Sequence, residues 1–390
     1  MRVSLRHWLQ LSLTDGIGPI LIRRIVDAAG SAEAACGASV AQLRQIDGIG
    51  TAKASKIHQS MRAAGEAVDK ELEAAEKLAV TIISQDDETF PLLLRSIPDP
   101  PAVLYLKGAF EPRDLNAVAI VGSRKCSYYG REQAERFGAL LAGAGVTVLS
   151  GGARGVDSSA HRGAISHPQG RTIAVLGSGL DVPYPPENAG LFEQIAAKGA
   201  VVSEYPLGTS PMKENFPRRN RIVSGMSRGV LVIEADERSG ALITARQACD
   251  DHGRTVFALP GRVDNPTSAG PHRLIRDGAT LVTQLEDILE ELGPLPQEAH
   301  EASLFHADRS AKPQAAEPEK PAPDPNPTLT DRQRVILAQL DGEPVHIDTL
   351  IDRTSLAASE ILQDLTLLSL KGVVKRVDGQ TFVRTPGKVR

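Results

Sequence analysis

Short runs of valine, isoleucine and leucine recur between residues 116 and 292, and a stretch of helical character follows most of them. Such runs are typical of strands buried on both faces, and helices between them imply parallel strand order with right-handed crossovers. The pattern therefore predicts an α/β fold with a Rossmann-like, doubly wound, mostly parallel sheet. The predicted strands are residues 117–121, 146–150, 172–176, 201–203, 230–234, 255–259 and 280–282.

Two similar turns in residues 1–65 predict a separate helical domain there. The sequence DGIG occurs at 15–18 and again at 47–50, each time before an amphipathic stretch, as in a helix-hairpin-helix pair or a SAM-like domain. Such a turn can direct backbone N–H groups at a phosphate. Its glycines can equally serve only to join two packed helices tightly. The sequence leaves both roles open.

Composition divides the rest of the chain into three parts. Residues 66–292 are predicted to form the Rossmann-like domain, including a charged lead-in helix and two early strands. The next segment, 293–327, is rich in proline, alanine and charge, which predicts a flexible linker. Residues 328–390 contain three helical stretches and then a hairpin around Asp378-Gly379, which predicts a winged-helix-like domain.

The predicted last helix of this C-terminal domain has an unfavourable charge for DNA. A winged helix normally places that helix in the major groove. Here the helix carries Glu360 and Asp364, and Lys371 is its first basic residue. The sequence therefore favours a protein-contact or auxiliary role for the domain, while Lys375, Arg376 and Arg384 on the predicted wing leave a weak phosphate contact open.

The overall composition limits the classes of function. The formal net charge is −4, so any nucleic-acid binding must come from local basic patches. Cys36, Cys126 and Cys249 are too scattered for a disulfide framework or a zinc site, and we expect partly buried thiols in a reducing cytosol. No apolar run has the length of a membrane span, and the first residues lack the apolar core of a signal peptide. A soluble, cytoplasmic protein without membrane contact is expected.

One basic stretch, residues 203–225, interrupts this weakly acidic chain. It combines four cations with Phe216 and Asn220 and follows a predicted strand. Loops at the carboxyl ends of strands form the ligand crevice of an open α/β sheet. Cations beside an aromatic ring suit a polyanion with flat bases, so we favour a binding site over a merely solvated basic face. The four cations are Lys213, Arg218, Arg219 and Arg221.

Glycine-containing loops after several predicted strands favour an anion in the same crevice. Glycine lets the backbone approach a ligand closely, and the N-terminus of the following helix attracts negative charge. The candidate binding residues in these loops are Gly122, Ser123 and Arg124 after the first strand, and Ser150, Gly151, Gly152 and Gly155 after the second.

Several common nucleotide sites are excluded. There is no G-x-x-x-x-G-K-[ST] motif, and the second loop, GGARGVD, is not G-x-G-x-x-G. Asp157 follows Gly155 too closely to hold a dinucleotide ribose and is predicted to lie in a first helical turn. His161 is predicted to be a packed or capping residue. No catalytic residue, cofactor or metal is therefore assigned.

Eight motifs, in order across the α/β region, resemble the DprA/Smf family of DNA-processing proteins. The resemblance implies a protein that binds single-stranded DNA, protects it, loads the RecA recombinase onto it and supports natural transformation, with a homodimer as the expected assembly. The motifs are GSR (122–124), SGGARGVDSSAH (150–161), GSGLDVPYPPEN (177–188), SEYPLG (203–208), FPRRNRIVSG (216–225), SGALITAR (239–246), LPGRVDNPTSAG (259–270) and LIRDGA (274–279).

The resemblance also implies roles for single residues. Arg124 matches a DNA-contacting arginine, Lys213 a lysine that contacts the backbone, and Phe216 an aromatic residue that meets a base. Residues 218–221 match the family's RRNR run. Stacking on an aromatic ring tolerates any base, so little sequence preference is expected.

A hydrolase on the same scaffold is the alternative. The nucleoside-monophosphate phosphoribohydrolase family shares the glycine loops, but its signature places a glutamate on a late helix where this chain has Arg246 and Gln247. Glu234 is the remaining candidate acid. We expect Glu234 to order neighbouring arginines or a helix terminus, and we expect no enzymatic activity.

Overall fold

The computed structural model describes residues 2–293 continuously and the C-terminal part in pieces. The pieces are 331–340, 345–354, 356, 361, 364–365, 368, 374–376 and 381–384. The chain divides into two compact units, Met1–Arg309 and Ser310–Arg390. Apart from Gly293, the predicted linker lies outside the described residues. Among the helices in these ranges, none offers the continuous apolar length that a bilayer crossing requires.

A nine-stranded sheet forms the centre of the first unit. Its strands are β1 (Thr81–Ser84), β2 (Val103–Gly108), β3 (Ala117–Val121), β4 (Thr147–Ser150), β5 (Thr172–Leu176), β6 (Ala200–Ser203), β7 (Gly229–Val232), β8 (Thr255–Ala258) and β9 (Thr280–Leu281). Their order is β1-β2-β6-β5-β4-β3-β7-β8-β9. Strands β3 to β9 pair in parallel, which confirms the predicted doubly wound sheet. Strands β1 and β2 extend it in antiparallel fashion at the β6 edge.

Helices cover both faces of this sheet. They are α6 (Leu92–Arg95), α7 (Tyr128–Gly143), α8 (Val156–Ser166), α9 (Ala189–Lys198), α10 (Asn215–Gly225), α11 (Gly240–Arg246), α12 (Ala269–Arg276) and α13 (Leu285–Leu292). Successive strand residues point to opposite faces, so Ile120 of β3 packs in the core under α7 and α8 while Ala119 packs in the core under α10. Phe137 and Leu141 of α7 are fully buried.

The N-terminal helices are α1 (Arg2–Ser12), α2 (Pro19–Ala29), α3 (Ala32–Cys36), α4 (Val40–Leu43) and α5 (Thr51–Lys77). The two DGIG turns lie directly before α2 and α5, with Gly16 and Gly48 at φ of 82° and 87°. A positive φ of this size favours glycine, which has no Cβ, as the tight-turn interpretation predicts. The helices pack on one face of β1 and β2, where Trp8 shares a core with Tyr105.

The predicted domain boundary between residues 65 and 66 is not a structural break. Helix α5 runs without interruption from Thr51 to Lys77 and buries Met61 and Val68 in the same core. The increase in charge after residue 65 predicts a boundary there, but charged residues on the exposed side of a helix do not end it.

The C-terminal unit contains α14 (Asp331–Leu337), α15 (Ile347–Thr354), β10 (Val345–His346), β11 (Val374–Arg376) and β12 (Thr381–Arg384). The strands form an antiparallel sheet in the order β10-β12-β11. Strands β11 and β12 flank the predicted Asp378-Gly379 turn, which lies outside the described residues. Of the predicted third helix, Asp364 is buried and accepts hydrogen bonds from Arg332 and Gln333. Its charge is therefore compensated inside the unit.

Candidate nucleic-acid interface

The predicted binding loops meet at the carboxyl edge of the parallel strands. Strand β3 lies between β4 and β7, so the direction of winding reverses beside it. Ligands of doubly wound sheets bind at this switch point. The loop after β3 carries Arg124, the glycine loop follows β4, and α10, which follows β6, carries Phe216.

The glycine loop after β4 needs its glycines for close packing. Gly152 and Gly155 have φ of 66° and 75°. A Cβ on Gly155 would lie 2.4 Å from the carbonyl oxygen of Ser123. Asp157 lies in the first turn of α8, as predicted, and its carboxylate accepts a hydrogen bond from the Ala153 N–H at 3.2 Å. Burial raises the pKa of this carboxyl.

Arg219 lies behind this loop as a fixed positive charge. Its side chain is 4% exposed, and Nη1 donates to the carbonyl oxygens of Gly151, at 2.6 Å, and Val175. Burial lowers its pKa to about 10, so the guanidinium keeps its charge at neutral pH. A side chain at Gly151 would displace this guanidinium, because a Cβ there would lie 2.7 Å from Nη2. Arg219 thus contributes charge to the crevice without projecting into it.

Phe216 and Arg124 form the front of the site. The exposed Arg124 guanidinium lies over the ring, with its central carbon 4.9 Å from the ring centroid. Gly177 backs the ring closely, since a Cβ at that position would lie 3.0 Å from Phe216 Cδ1. The ring is half-buried and therefore remains within reach of a ligand that displaces Arg124.

Two further side chains, Arg154 and Tyr184, complete this site, and neither was predicted from the sequence as a binding residue. The Tyr184 ring centroid lies 5.7 Å from that of Phe216, and the Arg154 guanidinium lies over Tyr184 at 5.7 Å. We call the resulting space the aromatic cleft. Its lining includes Arg124, Gly151, Arg154, Tyr184, Phe216 and Arg219, and only about 10 Å³ inside it is open. Both missed residues occur in quoted motifs, but only Arg154, a cation inside a glycine loop, gave a recognisable signal.

The cations of α10 do not all face the aromatic cleft. Arg218 and Arg221 line a separate groove of about 940 Å³ between α10 and the first DGIG turn. Arg221 is buried and forms ion pairs with Glu204 at 2.6 Å and Asp99 at 3.0 Å. Burial lowers its pKa, but these two carboxylates outweigh burial and raise it overall. The predicted direct contact of Arg221 with DNA therefore does not fit its position.

The remaining predicted residues differ in exposure. Lys213 is exposed just before α10, and the Asn220 amide donates to the Gly240 carbonyl oxygen at 3.3 Å. Ser123 and Ser150 are buried, and Ser150 Oγ donates to the Ile120 carbonyl oxygen at 2.6 Å. Both serines support the loops and are not positioned as direct ligands. Gly122 is a packing position as well, because a Cβ there would lie 2.6 Å from Val156 Cγ2.

Glu234, the acid that the hydrolase interpretation requires, has its carboxylate engaged in structural hydrogen bonds. It is 2% exposed and accepts hydrogen bonds from the Ser127 N–H at 2.7 Å, the Ser127 hydroxyl at 2.6 Å and the Asn265 amide at 3.2 Å. Ser127 is the N-cap of α7, so Glu234 orders a helix terminus.

His161 is likewise a core residue. Its Nδ1 lies 2.7 Å from the hydroxyl of Thr172, which itself donates to the Val148 carbonyl oxygen, so Nδ1 is the donor. Burial and the nearby Arg219 charge lower the pKa of His161 to about 3. The imidazole is therefore neutral at physiological pH and packs as predicted.

Comparison with known proteins identifies the family. The family model for the DNA recombination-mediator protein A matches residues 81–293, more than half of the chain, and the DprA winged helix domain matches residues 320–380. The chain belongs to the DprA/Smf family. Membership confirms the resemblance found in the eight motifs and gives the chain a DNA-processing role.

Relatives in the DprA/Smf family match over most of the chain. Protein Smf of Synechocystis is 35% identical over 97% of this chain and 98% of its own length. DNA processing protein DprA of Streptococcus pneumoniae is 44% identical over 53% of this chain and 72% of its own length. The X-ray structure of DprA from Streptococcus pneumoniae aligns with a TM-score of 0.62 at 34% identity, over 73% of this chain and 97% of that one. The likeness therefore extends to the fold.

Proposed function

We propose that the protein binds single-stranded DNA in the aromatic cleft, protects incoming strands, and loads the RecA recombinase onto them in the cytoplasm during natural transformation. The observation that carries the proposal is the exposed Arg124 over Phe216, next to a glycine loop and the N-terminus of α8. The ring offers a stacking surface for any base, while the cations and the helix N-terminus attract phosphates.

The cleft is fitted to hold a strand without cleaving it. Glu234, the candidate acid, and His161 are both buried and engaged in structural hydrogen bonds. Binding without bond cleavage is therefore part of the proposal.

The RecA step and a homodimeric assembly rest on family membership. The description of the family as a recombination mediator supports transfer of the strand to a recombinase. RecA filament assembly on the bound strand and the mass of the free protein by light scattering test these two parts directly.

The salt dependence of binding tests the site itself. Arg124 and Lys213 are both exposed, so their replacement by alanine removes two cations with little effect on folding. For single strands, the slope of log affinity against log salt changes by about 0.7 per phosphate neutralised. We expect the R124A/K213A variant to weaken binding and to reduce the slope by up to about 1.4. Fluorescence anisotropy of a labelled thymidine oligonucleotide at several salt concentrations gives both quantities.

A matched variant controls for net charge. Lys107 and Arg113 are surface cations at the opposite, amino-terminal edge of the parallel strands. Their double replacement by alanine removes the same charge and is expected to leave the slope unchanged. Equal slopes for the two double variants would refute binding at the aromatic cleft.

A further inference from the structure

Two cation–ring pairs lie side by side in the aromatic cleft. Arg124 lies over Phe216, Arg154 lies over Tyr184, and the two rings adjoin, so the four side chains form one continuous row. The chain contains only 4% aromatic residues, and two of them adjoin in this row. Each pair presents one ring face that is covered by a movable cation.

Each pair has the chemistry of a nucleotide subsite. A base stacks on an aromatic face as a guanidinium does, and a guanidinium displaced from the ring is free to contact the phosphate of the same nucleotide. Both arginines are exposed. The ion pair of Arg154 with Glu187 is about half exposed on both sides, so solvent screens it and a phosphate can compete for the cation. Since only about 10 Å³ is open, a base enters only by displacing the cation.

The geometry separates the two bases that the rings would hold. The ring planes are inclined by 48° and their centroids are 5.7 Å apart, so bases on the two rings cannot remain stacked on each other. The glycine loop and Arg219 line the same cleft, and Arg219 Nε has no hydrogen-bond partner within the described residues. The positive charge of Arg219 and the N-terminus of α8 favour the phosphate that joins the two nucleotides.

We propose that Tyr184 and Arg154 form a second nucleotide subsite beside that of Phe216 and Arg124. The cleft then takes two adjacent nucleotides of one strand, one base on each ring, with the strand unstacked between them. This inference rests on the proposed binding of single-stranded DNA and adds to it the number of bases held and the residues that hold the second one.

Paired substitutions at Tyr184 test the second subsite. Tyr184→Leu keeps apolar bulk but removes the π face, whereas Tyr184→Phe keeps the ring. Loss of one base stack weakens binding by about 5- to 150-fold. We expect this loss for Y184L with a short thymidine oligonucleotide, and affinity close to that of the unchanged protein for Y184F. Fluorescence anisotropy with the full-length protein provides the measurement.

An abasic oligonucleotide of the same length separates stacking from misfolding. Without bases, Y184L and the unchanged protein should bind equally, because only the stacking contact is lost. A structural defect would weaken binding to both oligonucleotides and would overturn the assignment of Tyr184. As a second measurement, photo-cross-linking of a 5-iodouracil oligonucleotide should label both Phe216 and Tyr184, and labelling of Phe216 alone would also overturn it.

The Phe216→Leu variant distinguishes the two proposals. If F216L weakens binding and Y184L does not, the second subsite fails while the proposed function stands. If neither variant nor R124A/K213A changes the affinity, the proposed function itself fails.

Discussion

Arg219 and Arg221 show how two identical side chains on one helix acquire different tasks. Arg219 donates to backbone carbonyl oxygens behind the glycine loop and faces the aromatic cleft. Arg221 is neutralised by Glu204 and Asp99 on the side of the separate groove. Both side chains are buried and held in place by their partners, and of the two only Arg219 lines the aromatic cleft.

Replacement of Arg221 by alanine should mainly lower the free energy of unfolding, because Arg221 is held in a buried ion pair and not in the aromatic cleft. The change leaves Glu204 and Asp99 without their counter-charge in a largely buried site, and breaking such a buried pair costs about 3 kcal/mol. Arg218→Ala, an exposed position on the same helix, should change the free energy of unfolding by less than about 0.5 kcal/mol. Urea denaturation followed by circular dichroism compares the two variants, and equal midpoints would contradict the structural role of Arg221.

At the residue scale, the sequence identified the chemistry of the site but not the direction of each side chain. Residues of an α-helix are about 100° apart, so Phe216 and Arg221 lie about 140° apart around α10 and cannot both face one cleft. Phe216 and Arg221 are close in the sequence, and the prediction from the sequence did not take this angular separation around the helix into account. Tyr184 was missed for a related reason, because its contact with Phe216 joins segments 32 residues apart that meet only in the folded sheet.

At the scale of elements, the packing of α7 against α8 depends on glycines that bear no conformational strain. A Cβ on Gly163 of α8 would lie 1.9 Å from the Glu135 carbonyl oxygen of α7. On α7, a Cβ on Gly138 would lie 2.3 Å from the Ala160 carbonyl oxygen. The two helices therefore touch backbone to backbone, and this close contact holds the N-terminus of α8 at the aromatic cleft.

Gly163→Ala should force these helices apart. Over-packing of this kind costs about 1–3 kcal/mol, and we expect a matching loss of unfolding free energy in urea. Gly190→Ala is the control, because Gly190 also lies in a helix but a Cβ there meets no atom within 4 Å. Alanine should leave the stability at that position unchanged or raise it by up to about 1 kcal/mol. A G163A variant as stable as G190A would show that the helices can separate freely.

The apolar runs predicted every parallel strand of the sheet, because a strand buried on both faces consists of consecutive apolar residues, and such a run is visible in the local sequence. The order of the strands is not recorded in this way. Strands β1 and β2 were predicted as early strands of this domain, but their place in the sheet was not: β2 pairs with β6 and adds an antiparallel edge. That pairing joins residues about 100 positions apart, and no local pattern specifies it.

At the scale of the whole molecule, the N-terminal helices and the sheet are one structure. Ile83 and Leu104 face the sheet's own core, while Ile82 and Tyr105 on the same two strands face the helices. Strands β1 and β2 thus carry apolar side chains on both faces. The N-terminal helices bury the face that contains Ile82 and Tyr105. The domain boundary predicted from composition passes through this shared core.

Two truncations should therefore differ sharply. Removal of residues 1–65 cuts α5 in its middle and exposes Tyr105, Val103 and Ile82, so we expect a product that aggregates or unfolds at much lower urea concentration. Removal of residues 310–390 falls between the two compact units and leaves the aromatic cleft intact. That shorter chain should unfold cooperatively and retain the Arg124- and Lys213-dependent slope of DNA binding against salt. A soluble and stable product without residues 1–65 would contradict the shared core, because the sheet would then be stable without its N-terminal helices. Loss of cooperative unfolding in the chain without residues 310–390 would also contradict it, because the N-terminal helices and the sheet would then not unfold as one structure.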